Sequence, residues 1–443
     1  MIAYPFRWIM PMLICAVLFF IALLALGFKT KKLNLKSVLK GFVPFLLSLV
    51  ATFIVGFFGW SILLKIYPHY TEILQGFTYN GHAYIGFFVS LSLALCWFLY
   101  SKFQKEETTA NIFVAPLFLW LIINIVLAVY LKGAAYFILP YYCALVSFWI
   151  LIKKETSSAL MHLLLATPAI FMFSPLIQIL PVGLGLETIV LSTILTVLIF
   201  GLLLSFLSTF AYKKRASIGF MFTALCLFIF AHATSDFNED RKKPNSLLYM
   251  KDLDAKKAYW LTYDSILDDW TKTYIGSDPK ESSALFNSAA RSKYNSSYTF
   301  AAEAPNYDIP HYLATTSHDT LIGDQRKVSL KFLAEKKADV LQLYVDQEII
   351  FSSLSYNGVS VTENLSYTEK NNRLLTFSVQ GLDSLEVSYT LPKGINPTFT
   401  LHEYSFDLMD NPWMEVSPRT NSMMPKPFAV SYTHLTLPTI YSV

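Results

Sequence analysis

The chain is 443 residues long, 54% hydrophobic and 15% charged, with a formal net charge of +4. That charge averages two unlike parts: residues 1–233 hold fifteen Lys or Arg against five acidic residues (Glu72, Glu106, Glu107, Glu155, Glu187), and the remaining 210 hold twenty basic against twenty-six acidic. A basic excess confined to the apolar part, beside an acidic remainder, excludes a nucleic-acid footprint and makes the lipid bilayer the first expected partner.

A hydrocarbon core of about 30 Å needs roughly 20 apolar helical residues, because no water is present there to satisfy backbone groups. Eight segments meet that need, near 8–28, 42–64, 83–100, 112–131, 134–152, 159–179, 187–210 and 217–233. The sixth contains Pro168 and Pro175, with Pro181 just beyond, which predicts a kink or interruption. Trp8, Trp60, Trp97, Tyr100, Trp120, Tyr130 and Trp149 fall near span ends, where amphipathic rings prefer the headgroup zone. Cys15, Cys96, Cys143 and Cys226 all lie within spans.

Cationic residues predict the topology. Loops 29–40 (Lys29, Lys31, Lys32, Lys36, Lys40), 101–111 (Lys102, Lys105), 153–158 (Lys153, Lys154) and 211–216 (Lys213, Lys214, Arg215) hold twelve Lys or Arg, while the alternate loops hold only Lys65 and Lys132. Positive loops stay cytoplasmic. The N-terminus and the C-terminal part are therefore expected outside, in the periplasm if this is a bacterial inner (plasma) membrane, or in the lumen of a eukaryotic organelle. Only seven residues precede the first span and no separate signal segment is seen, so an outward Met1 implies a reverse anchor or a chain continuing upstream.

After a polar hinge at 234–246, whose core is Asp236–Pro244, the pattern changes to period two. Leu247–Lys251 and Ala258–Tyr263 predict a hairpin, followed by a short helix from Asp264 to about Tyr274 capped by Asp264 or Ser265. Val328, Leu330, Phe332; Leu341, Leu343, Val345; Leu375, Phe377, Val379; and Leu385, Val387, Tyr389, Leu391 each alternate as strands with one buried face. Asn357-Gly358 is a hairpin-turn signal. The predicted fold class is a polytopic α-helical membrane bundle of about eight spans (1–233) followed by an exported, mainly-β, sandwich-like domain (247–429). That domain has no cysteine, so disulfides cannot staple it and its own core must hold it together.

Motifs that carry chemistry are scarce. His69-x-x-Glu72 with His82 is the most metal-like cluster, since an i, i+3 pair can present two ligands on one face. Tyr67, Pro68, Tyr70, Phe77 and Tyr79 in the same loop favour a structured interfacial segment instead. His318-Asp319 suggests acid–base work but reads as a turn dipeptide. Asp252, Asp254, Asp264, Asp268 and Asp269 alternate with Lys251, Lys256 and Lys257 and read as a solvated face, not a cation site. Gly183-Leu184-Gly185 lacks the third glycine of a dinucleotide loop, and neither G-x-S-x-G nor H-E-x-x-H occurs. His162 is the only clear ionisable group within a span, near its cytoplasmic start, where it reads as an interfacial or hydrogen-bonded residue and not as a relay.

Two blocks resemble a known group. KIYPHYTEILQGFTYNGH (Lys65–His82) and AYWLTYDSILDDWT (Ala258–Thr271) resemble the region downstream of the catalytic domain in membrane-bound zinc exopeptidases, the group containing the endoplasmic-reticulum metallopeptidase and the vacuolar membrane protease, with bacterial members the most similar. The resemblance covers roughly residues 1–429. It implies an exported zinc peptidase domain placed first, then spans, then an exported β domain, with zinc belonging to the full-length parent. The group's pattern, H-x-D followed by Asp, a Glu-Glu pair, another acid and a His, does not occur here; Glu106-Glu107 falls in a loop predicted to be cytoplasmic. No catalytic or metal residue carries over, and the chain by itself is expected to be inactive. Tyr67, His69, Tyr70, Tyr79, Asn80 and His82 are expected to face the missing peptidase domain, with peptide substrate met only indirectly. Residues 430–443 resemble translated adapter sequence and are expected to be a non-native tail. The alternative function is a stand-alone membrane receptor or transporter with an extracytoplasmic β ligand-binding domain.

Overall fold

The computed structural model describes residues 5–103, 108–153, 158–252, 255–285, 298–309, 312–334, 340–345, 347–361, 365–368, 372–378, 384–406 and 408–426. The predicted tail and the Glu106-Glu107 pair lie outside them. Two compact units divide the chain, Met1–Asp236 and Phe237–Val443, and the boundary falls in the predicted hinge.

In the first unit the helices are α1 (Ile9–Lys29), α2 (Leu35–Ile66), α3 (Gly81–Phe103), α4 (Thr109–Tyr130), α5 (Ile138–Lys153), α6 (Ala159–Leu184), α7 (Ile189–Leu202), α8 (Leu204–Leu207) and α9 (Lys213–Ala233). Among the described residues seven helices are long and apolar enough to cross a membrane, α1 to α6 and α9, the first and fifth counted with the 3-10 turns before them. The predicted seventh span, 187–210, is shorter: one apolar helix over Leu186–Leu202, then a turn at Leu203 and the single turn of α8. Gly201 explains where it weakens. A Cβ there would stand 2.7 Å from Pro116 Cβ, so tight packing on α4 requires glycine, which costs about 1 kcal/mol of helix propensity relative to alanine. The prolines of α6 do not interrupt it; Ala159–Leu184 runs through all three.

Close approach of backbones organises this bundle. A Cβ on Gly41 would lie 2.8 Å from Ile112 Cα of α4, and one on Gly56 would lie 2.7 Å from Val190 Cα of α7. Small residues at such crossings let helices pack without a hydrophobic drive from water. Phe171, Ile218 and Phe222 remain 80%, 69% and 66% exposed, as side chains facing lipid should be.

The two ends of the bundle can be told apart, with α3 as a ruler. At its start, Gly76 O accepts from Leu186 N at 2.9 Å, so the beginning of the α7 segment lies beside the 67–80 loop. At its far end, Trp97 packs on Phe210 at 6.0 Å. Gly81 and Trp97 are separated by about 24 Å of helix. Asn34 N, in a lysine-rich loop, donates to Asn111 Oδ1 at 2.9 Å, which joins two of the cation-bearing connections.

The second unit contains β1 (Lys243–Asn245), β2 (Leu248–Asp252), β3 (Lys257–Thr262), α10 (Asp269–Ile275), β4 (Lys280–Glu281), α11 (Ser282–Leu285), β5 (Phe300–Glu303), β6 (Tyr312–Ile322), β7 (Gln325–Ala334), β8 (Val340–Val345), β9 (Ile349–Ile350), β10 (Ser353–Tyr356), β11 (Val359–Ser360), β12 (Ser366–Tyr367), β13 (Arg373–Ser378), β14 (Ser384–Pro392), β15 (Phe399–Ser405) and β16 (Met423–Pro425). Five strands pair in the order β11-β10-β14-β7-β6 and seven in the order β13-β8-β15-β2-β3-β5-β4. Val328, Phe332, Leu354, Leu385, Val387 and Leu391 of the first sheet share one core with Leu341, Leu343, Val345 and Leu401 of the second, which makes a sandwich. The predicted strands are found over the described residues, Val379 lying outside them, and Asn357 and Gly358 both adopt positive φ (47° and 79°) to join β10 to β11.

Three local expectations need correction. The helix starts at Asp269, not Asp264, and its cap is Asp268, whose carboxylate accepts from Thr271 N. His318-Asp319 lies on β6, opposite Ser329 and Val328, not in a turn. Part of the hinge, Lys243–Asn245, is a strand paired in parallel with β16.

Candidate functional site

The loop that carries the metal-like motif folds onto the end of the bundle for local reasons. Tyr67 leaves the helical region (φ −123°, ψ 68°), and Pro68, which has no amide to donate, opens a 3-10 turn over Pro68–Glu72. That turn buries Tyr70 and Glu72 and leaves Thr71 outside.

A hydrogen-bonded cluster results. The Tyr67 hydroxyl lies 2.7 Å from His232 Nδ1 near the end of α9, and His69 Nε2 lies 3.0 Å from the Ser235 carbonyl. Asn80 Nδ2 donates to the Tyr70 hydroxyl (2.9 Å) and to Ala231 O (2.7 Å), while its Oδ1 accepts from Thr78 Oγ1 (2.8 Å). The Tyr70 and Tyr84 hydroxyls stand 3.2 Å apart, and Trp60 packs parallel to Tyr70 and edge-on to Tyr84. Burial first, then the neighbouring Tyr70 and Asp236, pushes the Tyr67 hydroxyl above its ordinary pKa, so it stays a neutral donor.

Of the residues predicted here, Tyr67, His69, Tyr70 and Asn80 are brought together. Tyr79 and His82 stay on the surface, the latter with its ring 5.1 Å from Phe77. His69 is engaged by a carbonyl, Glu72 is fully buried, and His82 is exposed. Among the described residues no group of three or more His, Cys, Asp or Glu is placed to hold a metal ion, and this loop does not fit a zinc ligand set. His232 was the residue that sequence reasoning missed: it lies within the last span, so His162 is not the sole histidine in a span. The signal was its position one residue before the end of the apolar run. His162 itself is buried, 2.5 Å from Ser147 Oγ, which donates on to Ser205 Oγ at 2.9 Å.

The second unit has its own constellation, and the acidic residues read as a solvated face form part of it. Asp264 is fully buried, paired with Lys426 at 2.9 Å, and accepts from Ser246 N (2.9 Å) and Ser246 Oγ (2.8 Å). Asp268 accepts from Lys243 (3.2 Å) and Asn245 (3.0 Å). Burial pushes its carboxyl up, but the Thr271 amide, Asn245 and Lys243 outweigh burial and hold it below the ordinary 3.8. Asp269 is the solvated member, and Asp254 lies outside the described residues. Asp319 is held low by a bidentate bond from Arg326 (2.9 and 2.7 Å), which leaves it unsuited to taking up a proton near neutrality.

These arrangements fix elements in place. Their donors and acceptors face each other, as in a structural interlock, whereas a catalytic site directs them at an open cleft. No family model, curated protein or solved structure matches the chain.

Proposed function

We propose that the chain is the membrane-anchoring and C-terminal portion of a zinc-dependent exopeptidase of the resembled group. Zinc and peptide chemistry belong to the peptidase domain of such a protein, and this chain holds that domain at the membrane and shapes access to it. The observation that carries the reading is the state of the Lys65–His82 block. The segment with the most specific resemblance is tied by Tyr67, His69 and Asn80 to residues 231–235, so it is a rigid platform and not a free loop.

Topology supports the same reading. Residues 189–207 measure about 28 Å at the helical rise, close to the hydrocarbon thickness, and they run from the Gly76 end of α3 toward its Trp97 end. Counting this as an eighth crossing puts the four cation-bearing loops on one side, the cytoplasmic one by the positive-inside rule. The 67–80 loop and the sandwich then belong outside, which is the periplasm for a bacterial inner membrane.

Purified chain should carry no stoichiometric zinc and hydrolyse no aminoacyl substrate; tight zinc together with hydrolysis would sink the proposal. In a cysteine-free background, a membrane-impermeant thiol reagent should reach T71C and S353C in intact cells but not S37C. The reverse pattern would overturn the orientation.

A further inference from the structure

A cavity of about 530 Å³ opens at the end of the bundle opposite the 67–80 loop, between the end of α3 and the start of α9. Its size falls in the range of about 300–1,000 Å³ common to small-molecule sites. Lys213, Lys214 and Arg215 line it together with Ser101 and Ser208, and no acidic side chain is among its described lining. Tyr212, the residue before α9, also contributes to the wall, and its ring lies 4.5 Å from the Arg215 guanidinium, which braces that cation. Tyr212 offers no side-chain cap to the first turn of α9. The partial positive charge of the helix start therefore adds to three side-chain cations.

A second observation selects the kind of anion. Arg215, Ile218, Phe222, Leu225 and Ile229 follow one another at spacings of three and four, so they share one face of α9. The four apolar members are 69%, 66%, 53% and 56% exposed. A cationic cavity thus continues directly into a bare hydrocarbon stripe along a spanning helix. That sequence of surfaces matches a molecule with a phosphate at one end and acyl chain at the other.

We propose that this cavity binds the phosphate ester of an anionic phospholipid, with the headgroup held by Lys213, Lys214 and Arg215 and the acyl chain laid along the exposed face of α9. The assignment is independent of the peptidase reading. The experiment uses the full chain in detergent, titrated with phosphatidylglycerol or phosphatidylcholine and followed by native mass spectrometry. Phosphatidylglycerol should bind preferentially, and K213Q/K214Q/R215Q should weaken it at least about tenfold, given the attraction of each cation near a membrane surface. K29Q/K31Q/K32Q, which removes the same charge from another cationic loop, should change it by less than about twofold. Ser208→Trp, which fills the cavity with all cations kept, should also weaken binding while melting and elution stay those of the parent. Equal affinity for the two lipids, or equal loss in the two triple variants, overturns the proposal. Saturable binding of inorganic phosphate without phosphatidylglycerol preference would overturn the lipid assignment in favour of a soluble phosphate source.

Discussion

The two units differ in how they bury part of their polar groups. In the membrane unit, hydroxyls return to the backbone of their own helix: Ser48 Oγ donates to Pro44 O, Thr52 to Ser48 O, Ser92 to Phe88 O and Thr196 to Ser192 O. In the β unit, a carboxylate and an ammonium are buried outright, Asp264 against Lys426, with the Ser246 hydroxyl and amide donating to the same carboxylate oxygen. The difference follows from the surrounding solvent. A chain inserting into lipid cannot carry an unpaired charge to its place, whereas a chain collapsing from water can hydrate both ions until they meet. Self-satisfied hydroxyls let helices associate through shape; a distant ion pair instead makes one closure of the sandwich specific.

The largest test of this contrast is Asp264→Ala. Removing one partner strands the Lys426 charge in the interior and should destabilise the β unit by about 3–5 kcal/mol, read from denaturant unfolding of the full chain by Trp260 and Trp270 fluorescence. Asp264→Leu with Lys426→Met should recover most of that loss, and failure to recover would mean the pair is not the source of the effect. Next comes Asn80→Ala in the membrane unit, which leaves the Ala231 carbonyl without its 2.7 Å donor and should cost about 1–3 kcal/mol. Hydrogen exchange at residues 231–235 should rise; unchanged protection there would show that Asn80 does not hold the 67–80 loop to this segment.

A smaller effect concerns pH. The folded pKa of Asp268 is depressed, so its stabilising contribution is fully present above the ordinary value of 3.8 and is lost as pH falls through the lowered folded value. Asp268→Asn should flatten the acid limb of the unfolding curve, and a curve that keeps its slope would show that another carboxylate governs it. The smallest is Thr193→Val, which removes a 3.0 Å bond to Thr52 O across α2 and α7. Hydrogen bonds between membrane helices average about 0.6 kcal/mol, so a loss above about 2 kcal/mol would show that the bundle depends on polar contacts more than its glycine crossings suggest.

The sequence revealed what is periodic and local. Apolar runs of bilayer length located every long helix, and alternation at Val328–Phe332 and Leu385–Leu391 identified inner faces of the sandwich, because burial of one face leaves its period in the residues themselves. It did not reveal partners. Tyr67 and His232 are 165 residues apart and neither carries a signal of the other. Asp264 stands among lysines and acids that look solvated, yet the residue that neutralises it is Lys426, on the far side of the domain sequence. The break at Leu203 was hidden as well, since no proline or charge marks it in the sequence and only packing on Pro116 makes Gly201 matter.

One pairing in the β unit has a mechanical meaning. Among the described residues its first strand, β1, lies parallel to its last, β16, with Lys243 N bonded to Ser422 O and Lys426 N to Asn245 O, both at 2.8 Å. Tension applied between the two ends of this unit would pull parallel neighbours in opposite directions along their axes. All the rungs between them would then bear load at once, with the buried Asp264–Lys426 pair as a bolt beside them, whereas a terminal hairpin pulled apart would open one rung at a time. A domain closed in this way resists being drawn out through these two strands, and the same closure makes residues 423–426 as necessary to the start of the domain as to its later part.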